Sequence, residues 1–391
     1  MKNAQPLWPN YTEEEIEAVT RVLRSNKVNY WTGDEGRKFE SEFAHFAQTN
    51  HAVALANGTV ALDLALHGLR IGSNNGGQAS DEVIVTPRSF IASASSVVNA
   101  GARPVFADVD PDSQNITPST AERHITDQTR AIICVHLAGW PCDMDGFNTL
   151  TAERGINLIE DCAQAHGARY KGRPVGGLGD VAAWSFCQDK IMSTGGEGGM
   201  VTCNDEDLWK RMWSFKDHGK NWNSVYERQH KPGFRWLHDS FGTNWRLTEM
   251  QSAIGRIQLK RMPEWRRKRA ENARKIRESL KSLSELVDYL KFPWLECDHV
   301  ECQTPDLKCQ HAFYKYYVFV RRDILGIENS RDDIIQDLTE IGYQCMQGSC
   351  SEIYLEKAFA ETVFRPDTSL PIAKQLGETS IMFNVHPGIE S

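Results

Sequence analysis

Hydrophobic residues recur along this chain in two rhythms. Short apolar runs, VALA (53–56), VIV (83–85), PVFADV (104–109), AIICVH (131–136), INLIE (156–160), VAAWSF (181–186) and GMVTC (199–203), alternate with stretches whose apolar residues return every three or four positions. A continuous run is what a strand covered on both faces requires, and the helical period belongs to the elements that cover it. The first two hundred residues therefore predict an α/β fold around a mostly parallel, seven-stranded sheet.

Thr12 with Glu15 three positions on forms a capping box, and Ile16, Val19, Val22 and Leu23 behind it make one apolar helix stripe. A glycine-containing loop follows, from Tyr30 to Gly36. Behind VALA, one helix face carries Leu62, Ala65, Leu66 and Leu69. From Arg246 to about Lys291 the pattern is that of a long connecting helix rich in Arg, Lys, Glu and Leu. Beyond His311 come a strand (FYKYYVFV), a helix (331–341) and a last strand (SIMFNVH, 380–386), the outline of a smaller C-terminal α+β domain. The expected division is a large domain over 1–250, with the N-terminal helix and loop, and a connecting helix plus small domain over 251–391.

Composition narrows the class. A length of 391 residues suits two domains, and 40% hydrophobic with 25% charged residues is ordinary for a soluble globular protein. A net charge of −8 without a long Lys/Arg run argues against a nucleic-acid partner. The start of the chain lacks the pattern of a secretion signal, and no run reaches the roughly 18 apolar residues of a membrane span. Ten scattered cysteines, several in strand-like runs (Cys134, Cys162, Cys187, Cys203), read as reduced thiols of a cytoplasmic protein.

Small and polar residues follow the strand ends: Asn57-Gly58-Thr59, Asp161 and Ser185. Ligands bind there in open α/β sheets. Lys190 lies between two apolar strands, just before Gly195-Gly196-Glu197-Gly198-Gly199. Alone, it reads as a solvated loop lysine. Asp161 is either a helix cap or the partner of a cationic ring nitrogen. Asn57-Gly58-Thr59 is a tight turn or a phosphate cradle at a helix start, to which Ser185 adds a hydroxyl. Phe90 is core, or a flat lid on an aromatic cofactor. Together these groups share one job: binding pyridoxal phosphate (PLP) as a Schiff base on Lys190. The glycine run lacks the Gly-Lys-Ser/Thr ending of a P-loop. Cys297, His299 and Cys302, with Cys309 and His311 downstream, offer metal-ligand types without a C-x₂-C pair, and no metal is expected.

From about Pro9 to His386 the chain resembles the DegT/StrS family of PLP-dependent nucleotide-sugar aminotransferases, of aspartate-aminotransferase fold type I. The motifs are NGTVALDLAL, TPRSFIASASSVVNAGARPVFADVDP, VHLAGWPCDMD, IEDCAQAHGARYKGRPVGGLGD, SFCQDKIMSTGGEGGM and FGTNWRLTEMQSAIG. The resemblance implies that Lys190 bonds the cofactor and shuttles protons, that Asp161 pairs with the pyridine nitrogen, and that Gln164 bonds the 3-hydroxyl oxygen. It implies that Phe90 stacks on the ring and that Gly58, Thr59 and Ser185 hold the phosphate. Asn244 matches a position that reaches the phosphate of a neighbouring subunit, which implies a homodimer with shared active sites. Arg88, Cys162 and Trp140 depart from the usual family residues.

The implied reaction is ping-pong: glutamate leaves its amino group as pyridoxamine phosphate, and a nucleotide-linked keto sugar receives it. Lys190 argues against the histidine-bearing branch of sugar dehydratases, and the intact set of Lys190, Asp161 and Gln164 argues against a regulator that only binds PLP. The lysine segment and the long stretch 213–243 are similar to those of C4 aminotransferases of 4-keto-6-deoxy sugars. Those include UDP-linked N-acetylated sugars feeding bacillosamine-type diamino sugars; C4 or C3 enzymes of dTDP- or GDP-linked sugars are the alternative. His218, Lys220, Asn221 and Arg235 either meet the diphosphate or base of that substrate, or belong to a solvated loop.

Overall fold

The structure, a computed structural model, describes residues 8–231, 235–284, 286–293, 308–321 and 330–389. Two helices, α1 (Glu13–Ser25) and α2 (Glu35–Ala47), precede the main sheet. The sheet is built from β1 (His51–Leu55), β2 (Glu82–Val85), β3 (Arg103–Phe106), β4 (Thr129–Val135), β5 (Asn157–Asp161), β8 (Val181–Ser185) and β9 (Gly199–Cys203), with a small hairpin, β6 (Arg169–Tyr170) and β7 (Arg173–Pro174), set apart. Its order is β1-β9-β8-β5-β4-β2-β3, and the pairs from β8 through β3 are parallel. β9 runs antiparallel to both β8 and β1. The connection from β8 to β9 contains no helix. A parallel return needs a crossover element, so β9 comes back antiparallel and the connection stays a loop at the strand ends. Lys190 is on that loop.

The apolar runs are unbroken because both faces are covered. In β2, Val83 and Val85 face one core and Ile84 the other. One core lies under α3 (Gly58–Gly68), α4 (Ala92–Asn99) and α7 (Glu206–Lys216), where Leu62, Val97 and Met212 meet the sheet. The opposite core holds Phe39 and Phe43 of α2, Phe147 of α6 (Met144–Arg154) and Trp184 of β8. Each such side chain contributes about 1.5–3 kcal/mol on burial. The short helices α5 (Pro118–Glu122) and α8 (Trp222–Tyr226) add to these cores, α5 through Ala121 and α8 through Trp222 and Val225.

Two expectations are corrected. The α1 stripe is not buried as drawn: Ile16 and Leu23 are each 51% exposed, while Glu15, Ala18 and Val22 are buried. Glu15 tolerates burial because Arg261 Nη1 donates to its Oε1 at 2.7 Å, a partner far along the chain. The connecting helix α9 is also shorter than expected, Glu249–Lys281. Thr248 and Gln251 form a capping box that sets its start, so the expected division after residue 250 falls in its first turn. Arg256 of α9 pairs with Glu35 and Glu42 of α2. Farther on, Ala273 and Leu280 pack on the second sheet.

That sheet is antiparallel, ordered β10 (Leu290–Lys291), β11 (Tyr316–Val320), β13 (Ser380–Phe383), β12 (Cys345–Gln347). With α10 (Arg331–Glu340) and α11 (Pro371–Thr379) it forms the smaller α+β unit.

Candidate active site

A cavity of about 820 Å³ opens where the C-terminal ends of β5 and β8 meet the start of α3 and the entry to β11. Gly58, Thr59, Phe90, Asp161, Gln164, Ser185 and Lys190, distant in sequence, all line it.

Asp161 ends β5 and is 5% exposed. Its Oδ2 accepts the Ser93 hydroxyl at 2.8 Å, and its Oδ1 accepts the Ala163 N–H at 3.1 Å. Burial pushes its acid strength down and its pKa up, against the pull of these two donors and the Lys190 charge. A desolvated carboxylate on the wall of a cavity suits a cationic ring nitrogen. Gln164 is oriented by Ala138, whose N–H donates to Oε1 at 2.7 Å. With its carbonyl end fixed, its amide N–H₂ is the end left to donate.

Asn57 caps α3, its Oδ1 accepting from the Val60 N–H at 3.0 Å. The first-turn N–H groups of Gly58 and Thr59 are not needed by the helix ladder and stand at the cavity wall. Gly58 has to be glycine: a Cβ there would lie 2.6 Å from the Ser185 Cβ. That close approach sets the Ser185 hydroxyl beside the helix start, a grouping of donors suited to an anion such as a phosphate. Phe90 is 68% exposed, at the cavity mouth.

Lys190 is held by its backbone: its N–H donates to the Cys187 carbonyl at 3.1 Å, and its own carbonyl accepts the Trp8 indole N–H at 2.7 Å. Its Nζ lies 3.5 Å from Asp189 Oδ2 and 5.1 Å from the centroid of the Tyr314 ring. The Tyr314 hydroxyl donates to the same Asp189 carboxylate, tying the lysine loop to the small sheet. Burial and the Asp189 charge both push the Tyr314 hydroxyl pKa far up, so it stays protonated and donating.

The remaining candidates lie elsewhere in this chain. Asn244 is exposed and forms a backbone bridge with Asp217. The buried Asp217 carboxylate accepts from Arg246 at 2.7 Å and Lys220 at 3.0 Å, and Lys220 Nζ sits 3.8 Å from the Trp31 ring centroid. Asn221 caps α8 and bonds Asp239. His218 adopts a left-handed backbone (φ 60°), with its N–H donating to the Thr243 carbonyl, and Arg235 is exposed. None of these lines the Lys190 cavity.

The suggested metal ligands Cys297, His299 and Cys302 lie outside the described residues. Among the described residues, His136, Glu160 and Cys162 bring donor atoms within 4.8 Å of one another. Their bonding is already structural: Glu160 accepts the N–H groups of Gly176, Leu178 and Gly179, and His136 Nδ1 accepts that of Cys142.

Sequence reading missed Ser93, Asp189, Tyr314 and Lys315, all of which line the cavity. Ser93 carries a weak signal, since it follows Phe90 by one helical turn. Tyr314 and Lys315 carry only that of two polar-tipped residues opening an apolar strand. Arg88, one of the departures from the family pattern, is fully buried behind the cavity, bonding Gln114 Oε1 at 2.8 Å and Ser351 Oγ at 2.7 Å.

The chain is similar in sequence and in fold to known proteins. The aminotransferase from Psychrobacter cryohalolentis is 56% identical in sequence, and its structure superposes with a TM-score of 0.91 over 99% of this chain and 95% of that one. GDP-perosamine synthase of Escherichia coli O157:H7 is 38% identical over 289 residues, 73% of this chain and 74% of that protein. The dTDP-3-amino-3,4,6-trideoxy-alpha-D-glucose transaminase of Streptomyces venezuelae is 40% identical over 253 residues, 65% of this chain and 62% of that protein. The expected fold type I architecture therefore holds. The family description that matches residues 9–391 settles the kinship: this chain belongs to the DegT/DnrJ/EryC1/StrS aminotransferase family.

Proposed function

We propose that this protein moves an amino group from glutamate to C4 of a nucleotide-linked 4-keto-6-deoxy sugar, with pyridoxal phosphate as cofactor. The observation that carries the reading is the convergence of Lys190, Asp161, Gln164 and the Gly58–Ser185 cradle on one cavity. Bound there, PLP supplies an electron-accepting ring and an aldehyde carbon that captures amines. Gly58, Thr59 and Ser185 hold its phosphate, and Asp161 keeps its ring nitrogen protonated. Gln164 donates to its 3-oxygen, and Phe90 covers a ring face. Lys190 Nζ would hold the cofactor, and would take the proton from the donor's α-carbon and later deliver one to the sugar carbon that receives the nitrogen.

The active unit in this reading is a homodimer in which the partner subunit's Asn244 completes the phosphate cradle. Supporting this, Asn244 is exposed on a segment that also leaves Trp236 86% and Phe241 99% exposed, an apolar surface costly to leave in water. His218, Lys220, Asn221 and Arg235 of that segment then lie near the sugar nucleotide of the neighbouring site. Relatives named for GDP- and dTDP-linked sugars support a nucleotide-sugar substrate. The lysine segment and the 213–243 stretch favour the UDP-linked 2-acetamido-4-keto-2,4,6-trideoxyhexose of diamino-sugar synthesis.

The test is a panel of UDP-, dTDP- and GDP-linked 4-keto-6-deoxy sugars with glutamate, products read by mass spectrometry. The expected result is a 4-amino sugar formed fastest from the UDP-linked substrate. Loss of water without nitrogen gain, or no product from any sugar, would overturn the reading.

A further inference from the structure

Among the described residues, two basic side chains line the cavity, Lys190 and Lys315. The first is committed to the cofactor. The second is left facing an active site whose substrates are anions.

Lys315 immediately precedes β11, and its Nζ donates to Asn384 Oδ1 at 2.7 Å. An ammonium has three N–H donors, so this bond aims the group and leaves two for a ligand. Lys315 and Lys190 lie against the same ring, their Nζ atoms 5.2 and 5.1 Å from the Tyr314 centroid. Both ammonium groups therefore stand around one ring on the wall of the same cavity.

The surroundings favour an anion there. From α9 comes Arg269, 2% exposed, whose Nη1 donates to the carbonyls of Phe313 and Tyr314 and whose Nε has no hydrogen-bond partner among the described residues. His386, beside Arg269 and Lys315, is held neutral by burial and those two charges, its pKa lowered to about 4. From the lysine loop come Lys190 and Asp189, and Asp189 is occupied by the Tyr314 hydroxyl. Burial, Arg269 and Lys190 lower the Lys315 pKa to about 8, against the pull of Asp189. The ammonium is thus short of countercharge while still protonated near neutral pH.

We propose that Lys315 receives a carboxylate of the amino donor and so sets the enzyme's preference for an acidic donor. This rests on the aminotransferase reading above, and deepens it by naming the donor subsite.

The test uses holoenzyme with Lys315→Gln and Lys315→Arg. Glutarate, a dicarboxylate without an amine, is the binding probe by calorimetry, and KM is measured separately for glutamate and for the nucleotide sugar. Lys315→Gln is expected to weaken glutarate binding and raise the glutamate KM by about 10- to 100-fold, the loss of one charge-assisted bond. The sugar KM should stay unchanged, and Lys315→Arg should restore most of the loss. Wild-type glutarate binding should weaken as pH rises through about 8, and that step should vanish in Lys315→Arg. Unchanged glutarate and glutamate values in Lys315→Gln would overturn the proposal. So would a rise confined to the sugar KM, which would assign the residue to the diphosphate. A wild type that never reacts with glutamate would instead sink the functional reading itself.

Discussion

Ser93 donates its hydroxyl hydrogen to Asp161 Oδ2 at 2.8 Å, from the first turn of α4 onto the end of β5. The bond favours the charged carboxylate, opposing the burial that favours the neutral acid. Ser93→Ala removes that support and raises the pKa of Asp161 further. Since the carboxylate must be charged to hold a cationic ring nitrogen, the variant should release cofactor on acidification at a pH about one unit higher than wild type. Dialysis across a pH series, with retained cofactor read by absorbance, measures this. Superimposable release curves would remove Ser93 from the site.

Asp161→Asn should have opposite effects with and without cofactor. In the cofactor-free protein the native carboxyl pKa lies above its unfolded value, because burial outweighs the Ala163 and Ser93 donors and the Lys190 charge. A raised acid costs stability as pH climbs from the ordinary carboxylate range through the native pKa. Asparagine escapes that loss, so the cofactor-free variant should be at least as stable as wild type at neutral pH and show a flatter dependence on pH. Turnover should nevertheless fall by about 100- to 1,000-fold, because the ring nitrogen loses its counterion. Thermal melts of the cofactor-free proteins from pH 4 to 8, beside activity, separate the two effects. A variant less stable at neutral pH would mean that Asp161 is a structural acid.

Arg88 supplies a stability test behind the cavity. Its guanidinium, fully buried, bonds Gln114, Ser351 and Ser380 and the Ser349 carbonyl, joining the loop after β2 to the start of β13 and the segment after β12. Burial lowers its pKa to about 10, still charged at neutral pH. Arg88→Met fills similar volume but strands those acceptors, at a cost of about 2–4 kcal/mol. A lower urea midpoint is expected, together with a higher sugar KM, because Ser349 and Cys350 line the cavity. An unchanged midpoint would show that water replaces the guanidinium without loss.

The main sheet is legible in the sequence because both its faces are covered. Val83, Ile84 and Val85 read as one apolar run, although their side chains point into two different cores. Asp161 and Ser185 are legible because a polar residue closing such a run has few structural uses. The stripe on α1 misleads because hydrophobicity alone does not show that Glu15 has Arg261 to pair with. Tyr314 and Lys315 escape notice for the same reason: only the closed fold brings the entry to β11 beside the lysine loop. Chemistry carried by one strand end can be read locally, whereas chemistry shared between two sheets cannot.

Mixing two inactive proteins tests whether the sites are shared. Lys190→Ala removes the amine proposed to hold the cofactor and to move protons, and its turnover should fall by about 10⁴-fold or more. Asn244→Ala leaves Lys190 intact but removes the side chain assigned to the neighbouring phosphate cradle, so it should retain cofactor weakly. If each site draws Lys190 from one subunit and Asn244 from the other, a hybrid dimer carries one intact site and one doubly altered site. Equal amounts, dissociated and reassembled at random, should then regain roughly a quarter of wild-type activity. If both residues serve the same subunit's site, no hybrid restores an intact site, and the mixture stays as inactive as its parts. The exposed Asn244, bridged by its backbone to Asp217, favours the first outcome, since it does not reach the Lys190 cavity of its own chain.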